Sequence, residues 1–216
     1  MGAVQLVPAI LNLIAILMQS SPFTALARST FMAILFAVLL PPLNAAPEKS
    51  LLPVFGAEGD EFTTPAQKNH VIHGWLPKDW NDNSEWAPIT ATYSKLDDAP
   101  DKTGVALRIK VEKMDDGQLQ LTSYAGERIY EKGRIYRVSG WVRCPDRVTV
   151  SVAARQSEGP YERYHEKDLA TEATWKQFEF EFAPKNDIKA IIMFSFERVA
   201  TVDLAGVTVT DEGSAQ

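Results

Sequence analysis

Residues 133–143 read GRIYRVSGWVR. As a strand, this stretch alternates Tyr136, Val138, Gly140, Val142 and Cys144 on one face with Arg137, Ser139, Trp141 and Arg143 on the other. The first set is mostly apolar and carries the branched residues, so it points at a core. Trp141 therefore points outward, between a hydroxyl and a guanidinium. An outward indole among polar neighbours stacks on the apolar C–H face of a pyranose, and nearby Arg, Gln or Asn side chains take the ring's hydroxyls. The competing reading is that another strand or the N-terminal segment covers Trp141.

The following segments supply partners of the same chemistry. In residues 147–156, Val148, Val150, Val152 and Ala154 alternate with Thr149, Ser151, Ala153 and Arg155. If this strand pairs with the previous one, Trp141 lies over small side chains with Arg143 and Arg155 at one end. Gln118, Gln120 and Thr122 alternate with Leu119 and Leu121 and join the polar face. The loop 156–165 contributes Gln156, Tyr161 and Tyr164 around Gly159-Pro160, and paired loop tyrosines can flank a ligand. Residues 73–86, HGWLPKDWNDNSEW, hold three of the five tryptophans. Turn chemistry makes this an irregular segment laid across a core, with Trp75 and Trp80 as anchors and Trp86 as a ligand contact. Trp175 opens a segment in which Phe178, Phe180 and Phe182 alternate inward, and it reads as a structural edge seal. The expected ligand set is Trp141, Arg143, Arg155, Gln156, Tyr161, Tyr164, Gln120 and Trp86.

Catalytic chemistry finds less support. His70, His73 and His165 lack the spacing of a metal site, and neither G-x-S-x-G nor H-E-x-x-H occurs. Asp79, Asp82 and Glu85 cluster, and Glu179 and Glu181 face outward, but nothing marks two carboxyls held across a cleft for glycoside cleavage. Cys144 falls on the core side with no histidine near it in sequence, so it acts as a small hydrophobe.

The elements that must carry these residues are strands. From residue 88 onward, short period-two segments are separated by turns: 89–94, 105–113, 118–124, 135–144, 147–156, 176–183, 189–197 and 201–210. Asp115-Asp116-Gly117 reads as a hairpin turn. No segment beyond residue 50 sustains a helical period for three turns. Eight or more such strands predict an all-β sandwich or barrel. With 216 residues, 45% hydrophobic, the chain can build one ordinary core, and with a single cysteine it has no internal disulfide. A formal net charge of −6 with no basic stripe excludes a nucleic-acid backbone as partner.

Residues 1–46 differ from the rest. Their one charged side chain is Arg28, followed by the apolar run 31–40, Pro41-Pro42 and the small residues Asn44-Ala45-Ala46. That is the layout of an export signal. Membrane attachment through the two apolar runs is the alternative, although each is shorter than a spanning helix prefers. The expected organisation is an export or membrane segment at 1–46, a linker or first strand at 47–66, a β-sandwich at 67–211 and a polar tail at 212–216.

The ordered series GRIYRVSGWVR, VTVSVAARQ, ATWKQFEFEFAP and ATVDLAGVTV resembles carbohydrate-binding modules of the family 4/9/22 type. LPKDWNDNSEW, ATYS and ARQSEGPYERY upstream and between them resemble a subgroup found with bacterial glycoside hydrolases. The resemblance covers residues 70–211 and implies a jelly-roll sandwich of the galactose-binding-like kind. It further implies an exported, non-catalytic module that binds polysaccharide. Many family members hold a structural calcium with an Asp before the closing valine. Here that pair is Ala205-Gly206, so no metal and no cofactor is assigned. Two alternatives remain open: an envelope interaction domain that keeps the fold without a sugar ligand, and a fragment of a longer hydrolase.

Overall fold

Alternation of branched apolar with polar side chains runs through most of the chain, and the alternating stretches are strands. The computed structural model describes residues 50–52, 55–56, 58–64, 70–100, 104–123 and 128–214. The export or membrane reading of residues 1–46 lies outside the described residues. Those residues form β1 (Gly59–Thr63), β2 (Val71–Pro77), β3 (Trp80–Asp82), β4 (Ile89–Leu96), β5 (Ala106–Met114), β6 (Leu119–Ser123) and β7 (Arg128–Tyr130). They continue with β8 (Arg134–Arg143), β9 (Val150–Arg155), β10 (Arg163–Leu169), β11 (Lys176–Phe182), β12 (Ile188–Phe196) and β13 (Thr201–Ser214). No helix occurs among the described residues.

Two sheets form a sandwich. The first runs β1-β2-β4-β5-β13-β8-β11 and the second β10-β9-β12-β6-β3, with β7 added to β12. Every pairing is antiparallel except β2 with β4, which run parallel. Gly74 makes that parallel approach possible. Its φ is 122°, and a Cβ there would stand 1.9 Å from the Tyr93 carbonyl oxygen.

The core lies between the sheets. Tyr136, Val138 and Val142 from β8 meet Val150, Val152 and Ala154 from β9, with Phe178, Phe180 and Phe182 from β11 and Ile192, Phe194 and Phe196 from β12. Burying a phenylalanine side chain contributes about 1.5–3 kcal/mol, so the aromatic rows of β11 and β12 carry much of the stability. Gly140 interrupts the inner face of β8, where any Cβ would press to 3.0 Å from Phe178 Cζ. The sequence GWVR is thus shaped by a ring on the neighbouring strand.

Three expectations are corrected by the fold. First, β8 and β9 do not pair. β8 lies between β13 and β11, while β9 lies between β10 and β12 in the other sheet. The chain crosses the sandwich at Cys144–Val148 instead of making a hairpin. Second, residues 71–82 are not irregular, because β2 and β3 add to opposite sheets. Trp80 is buried there, edge-on to Phe55 at 5.2 Å and tilted against Phe194 at 6.0 Å. Trp75 is half-buried and packs against the core. Third, the stretch read as the loop 156–165 runs into β10, whose register shifts between Arg163 and His165. An extra residue at such a bulge breaks alternation, and Tyr164 packs against the core. His165 next to it lies against the Phe182 ring at 5.3 Å.

Candidate functional site

The sandwich has two outer faces, and the expected ligand residues divide between them. Trp141 and Arg143 belong to the outer face of the β1-β2-β4-β5-β13-β8-β11 sheet. Trp141 is half-buried, with Gln177 opposite it on β11 and Ala205 opposite it on β13. Arg143 is fully engaged. It bonds Asp203 through Nε at 2.8 Å and Nη2 at 2.6 Å, bonds Asp98 at 2.9 Å, and lies over the Trp175 ring at 4.4 Å. Arg108 holds the same Asp203 carboxylate at 2.8 and 2.9 Å. Further along, Arg137 bonds Glu181, and the Ser139 and Thr208 hydroxyls pair at 2.9 Å. The arginines and hydroxyls near Trp141 are therefore engaged with partners on their own sheet.

The outer face of the β10-β9-β12-β6-β3 sheet is different. Alternation along β12 sends Ile192, Phe194 and Phe196 to the core and leaves Ile191, Met193 and Ser195 outward. The register then builds cross-strand rows. Met193 stands between Ala153 and Thr122, Ser195 between Ser151 and Gln120, and Ile191 beside Arg155. Although these side chains point away from the core, Met193, Ala153, Thr122, Ser195, Gln120 and Arg155 are all buried. Part of the cover is visible. Arg163 on β10 donates to Gln118 Oε1 at 3.2 Å, although β9 and β12 separate β10 from β6. The contact thus spans the outer side of the two central strands. A second bond holds Arg163 to Glu166. At the β3 edge, Asn83 donates to Gln120 Oε1 at 2.7 Å.

Arg155 is the unusual group on this face. It is 5% exposed, and its Nε–H has no hydrogen-bond partner. Among the described residues no carboxylate pairs with it. Its contact is the Tyr161 ring, 5.1 Å from the guanidinium carbon. Burial is the main cause that pushes its pKa down, and the charge of Arg163 adds to the effect. A buried donor without a partner costs about 1–3 kcal/mol, and a guanidinium without a counter-charge is costlier still to desolvate.

Aromatic rings stand at both ends of this face. Trp86 and Tyr161 are the exposed aromatic side chains of the described residues, at 60% and 57%. Tyr161 lies in the β9–β10 loop with φ of 59°, and its N–H is held by the Glu158 carbonyl at 2.9 Å. A bulky residue in that region is disfavoured by roughly 1–2 kcal/mol, so the loop holds the ring over Arg155 against a local preference. Trp86 donates its indole N–H to the Asn83 carbonyl at 3.1 Å and borders Gly117, next to Gln118.

Of the expected ligand residues, Arg155, Gln120, Tyr161 and Trp86 come together around one face. Gln156 belongs to the same loop, where its N–H bonds the Glu162 carbonyl at 2.9 Å. Trp141 and Arg143 are on the opposite sheet, and Tyr164 turns to the core. Sequence reasoning missed Ser195 and Met193, because Ile191 and Met193 are apolar on the outer side of β12 and mask which side faces the core. It missed Arg163 because the stretch around it was read as loop. Among the described residues, no three His, Cys, Asp or Glu side chains converge as a metal-ligand set.

Solved structures similar to this chain include carbohydrate-binding modules. A family 4 module matches with 18% identity over 62% of this chain and 86% of its own, at a TM-score of 0.47. The family 22 xylan-binding domain of a Paenibacillus barcinonensis protein matches with 9% identity over 64% of this chain and 88% of its own, at 0.43. A family 61 module in complex with β-1,4-galactotriose matches with 14% identity over 62% of this chain and 90% of its own, at 0.41. A comparison with curated proteins finds no match. The profile of the family described as "Carbohydrate binding domain", of the 4/9 type, matches residues 84–198, more than half of the chain, and the protein belongs to that family of non-catalytic carbohydrate-binding domains.

Proposed function

We propose that the outer face of the β10-β9-β12-β6-β3 sheet is where this domain binds polysaccharide. The observation that carries the reading is the placement on one face of Trp86, Tyr161 and Arg155, whose buried Nε–H has no partner. Exposed rings at each end offer stacking surfaces for sugar units, and the floor between them holds Gln120, Thr122 and Ser195 as hydroxyl partners. The Arg163–Gln118 bond joins solvent-accessible groups, so exchanging it for sugar hydroxyls costs little. On the opposite face Arg143, Arg108 and Arg137 are all bound to carboxylates.

In this reading the module, a jelly-roll sandwich at residues 67–211, works outside the cytoplasm, with residues 1–46 as its export segment. Its role is to hold an enzyme or a cell surface on a glycan. Affinity electrophoresis and calorimetry against a panel of soluble β-glucans, xylans and galactans test it. Tyr161→Ala and Trp86→Ala are each expected to weaken binding about tenfold, the equivalent of 1.4 kcal/mol. Loss of binding in Trp141→Ala, with Tyr161→Ala unaffected, moves the site to the other sheet. No binding to any glycan sinks the function.

A further inference from the structure

Neutral sugar hydroxyls explain Gln120, Thr122 and Ser195, but they do not explain Arg155. An amide or a hydroxyl would serve a neutral pyranose at a far lower cost of burial than a guanidinium. Arg155 is 95% buried by its 5% exposure, its Nε–H has no partner, and no carboxylate of the described residues pairs with it. The nearest charge by register is another cation, Arg163, directly opposite on β10. Glu166 does not neutralise Arg155, because it is bonded to Arg163. Tyr161 stacks on the guanidinium, which favours the cation but brings no counter-charge. Arg155 thus keeps a buried Nε–H without an acceptor, while Arg163 and Glu166 bond each other and Asp168 accepts from Ser151, within a chain whose formal net charge is −6.

We infer that the polysaccharide bound on this face carries an anionic substituent, a hexuronate carboxylate or a sulfate ester, which seats on Arg155 with Arg163 beside it. The inference rests on that face being the sugar site. A guanidinium fork matches a carboxylate or a sulfate oxygen pair in geometry as well as charge. Because the whole chain is acidic, polyanions gain nothing from its long-range field. A preference for them must come from a local contact.

The test uses the full chain and four polymers: polygalacturonate, its methyl ester, dextran sulfate and dextran. Calorimetry is expected to show binding about tenfold or more tighter for a charged polymer than for its neutral counterpart. A preference within the first pair identifies a carboxylate, and one within the second pair identifies a sulfate ester. Arg155→Gln is expected to bring the charged-to-neutral ratio to within about twofold. Arg155→Lys keeps the charge without the planar fork and is expected to retain part of the ratio. Circular dichroism checks that each variant is folded, and the wild-type ratio is informative without either. Equal binding of charged and neutral polymers by the wild type overturns the inference, as does a preference that survives in Arg155→Gln. Binding of neutral glycans lost in Tyr161→Ala, without any preference for charge, overturns it while leaving the sugar site in place. Binding of no polymer, charged or neutral, overturns both.

Discussion

Arg163 and Gln118 are joined by a hydrogen bond of 3.2 Å across the outer face of a sheet in which two strands separate their elements. The same outer face carries buried Met193 and Ala153, side chains that point away from the sandwich core. The link is a polar strap on a face where Met193 and Ala153 sit beside Thr122, Ser195 and Gln120. Removing the Gln118 end by Gln118→Ala is expected to expose this face without unfolding the domain, with stability changed by no more than about 0.5 kcal/mol. Peroxide oxidation of Met193, followed by peptide mass spectrometry, is expected to be faster in the variant. Association with a bound glycan is expected to speed up by roughly threefold, since a gating rearrangement slows binding. Unchanged oxidation of Met193 would show that other groups make the cover.

Asp203 holds the opposite sheet together. Its side chain is fully buried and receives Arg108 from β5 and Arg143 from β8, the two strands flanking β13. Removing the acid leaves two guanidiniums pressed together with exposed Asp98 as their remaining acid. Breaking a buried ion pair from one side costs about 3–5 kcal/mol, and Asp203→Asn is expected to fall in that range by urea denaturation. Because Arg143 is then released from Asp203 and keeps Asp98 and the Trp175 ring, the Arg143→Met, Asp203→Asn double variant is expected to recover part of the loss. Strict additivity of the two losses would mean that the pair is not coupled.

Much of the sandwich was legible because strands half-exposed on one face must alternate. β5, β8 and β11 show this, with Leu107, Ile109 and Val111 or Phe178, Phe180 and Phe182 inside. Pairing between strands was not legible in the same way. Residues 145–149 can be read as a hairpin turn or as a crossing between sheets, and only the packing of both sheets decides. That single choice separated Trp141 from Arg155. β12 hid its outer face because Ile191 and Met193 are apolar on a side that alternation would make polar. The bulge in β10 hid Tyr164, since one extra residue reverses the parity of everything before it. Trp86 and Arg155 were legible as ligand candidates because each is costly to leave unexplained, one as an exposed indole and the other as a charge in an apolar strand.

Asp82 and Tyr93 form a buried polar contact under β3. The Tyr93 hydroxyl donates to Asp82 Oδ2 at 2.5 Å, and Ser84 donates through its N–H at 2.9 Å and its hydroxyl at 3.0 Å. Burial raises the Asp82 pKa above its ordinary value, and these bonds hold the rise in check. Tyr93→Phe removes a bond to a charged group and is expected to cost about 1.5–3 kcal/mol at pH 7. The Asp82 pKa then moves further up in the folded state. A carboxyl raised above its unfolded value favours folding most at acid pH and loses that contribution as pH rises through the folded value. The deficit of Tyr93→Phe is therefore expected to shrink at pH 4, and urea unfolding at the two pH values measures it. An equal deficit at both would show that Asp82 keeps the same protonation state throughout.

The lowered pKa of His165 predicts a response to mild acid. The bulge in β10 turns its ring against Phe182, and burial pushes its pKa below the ordinary histidine value, with the charge of Lys185 adding to the shift. A base whose folded pKa is depressed supports folding above its unfolded value of about 6.5 and withdraws that support as pH falls through the folded value. The wild-type melting temperature is therefore expected to fall between pH 7 and pH 5. In His165→Phe a neutral ring keeps the contact with Phe182 and cannot take up a proton, so the same acidification is expected to lower the melting temperature less. The two proteins are compared by thermal denaturation in buffers of equal ionic strength. Parallel curves would assign the acid sensitivity to other groups.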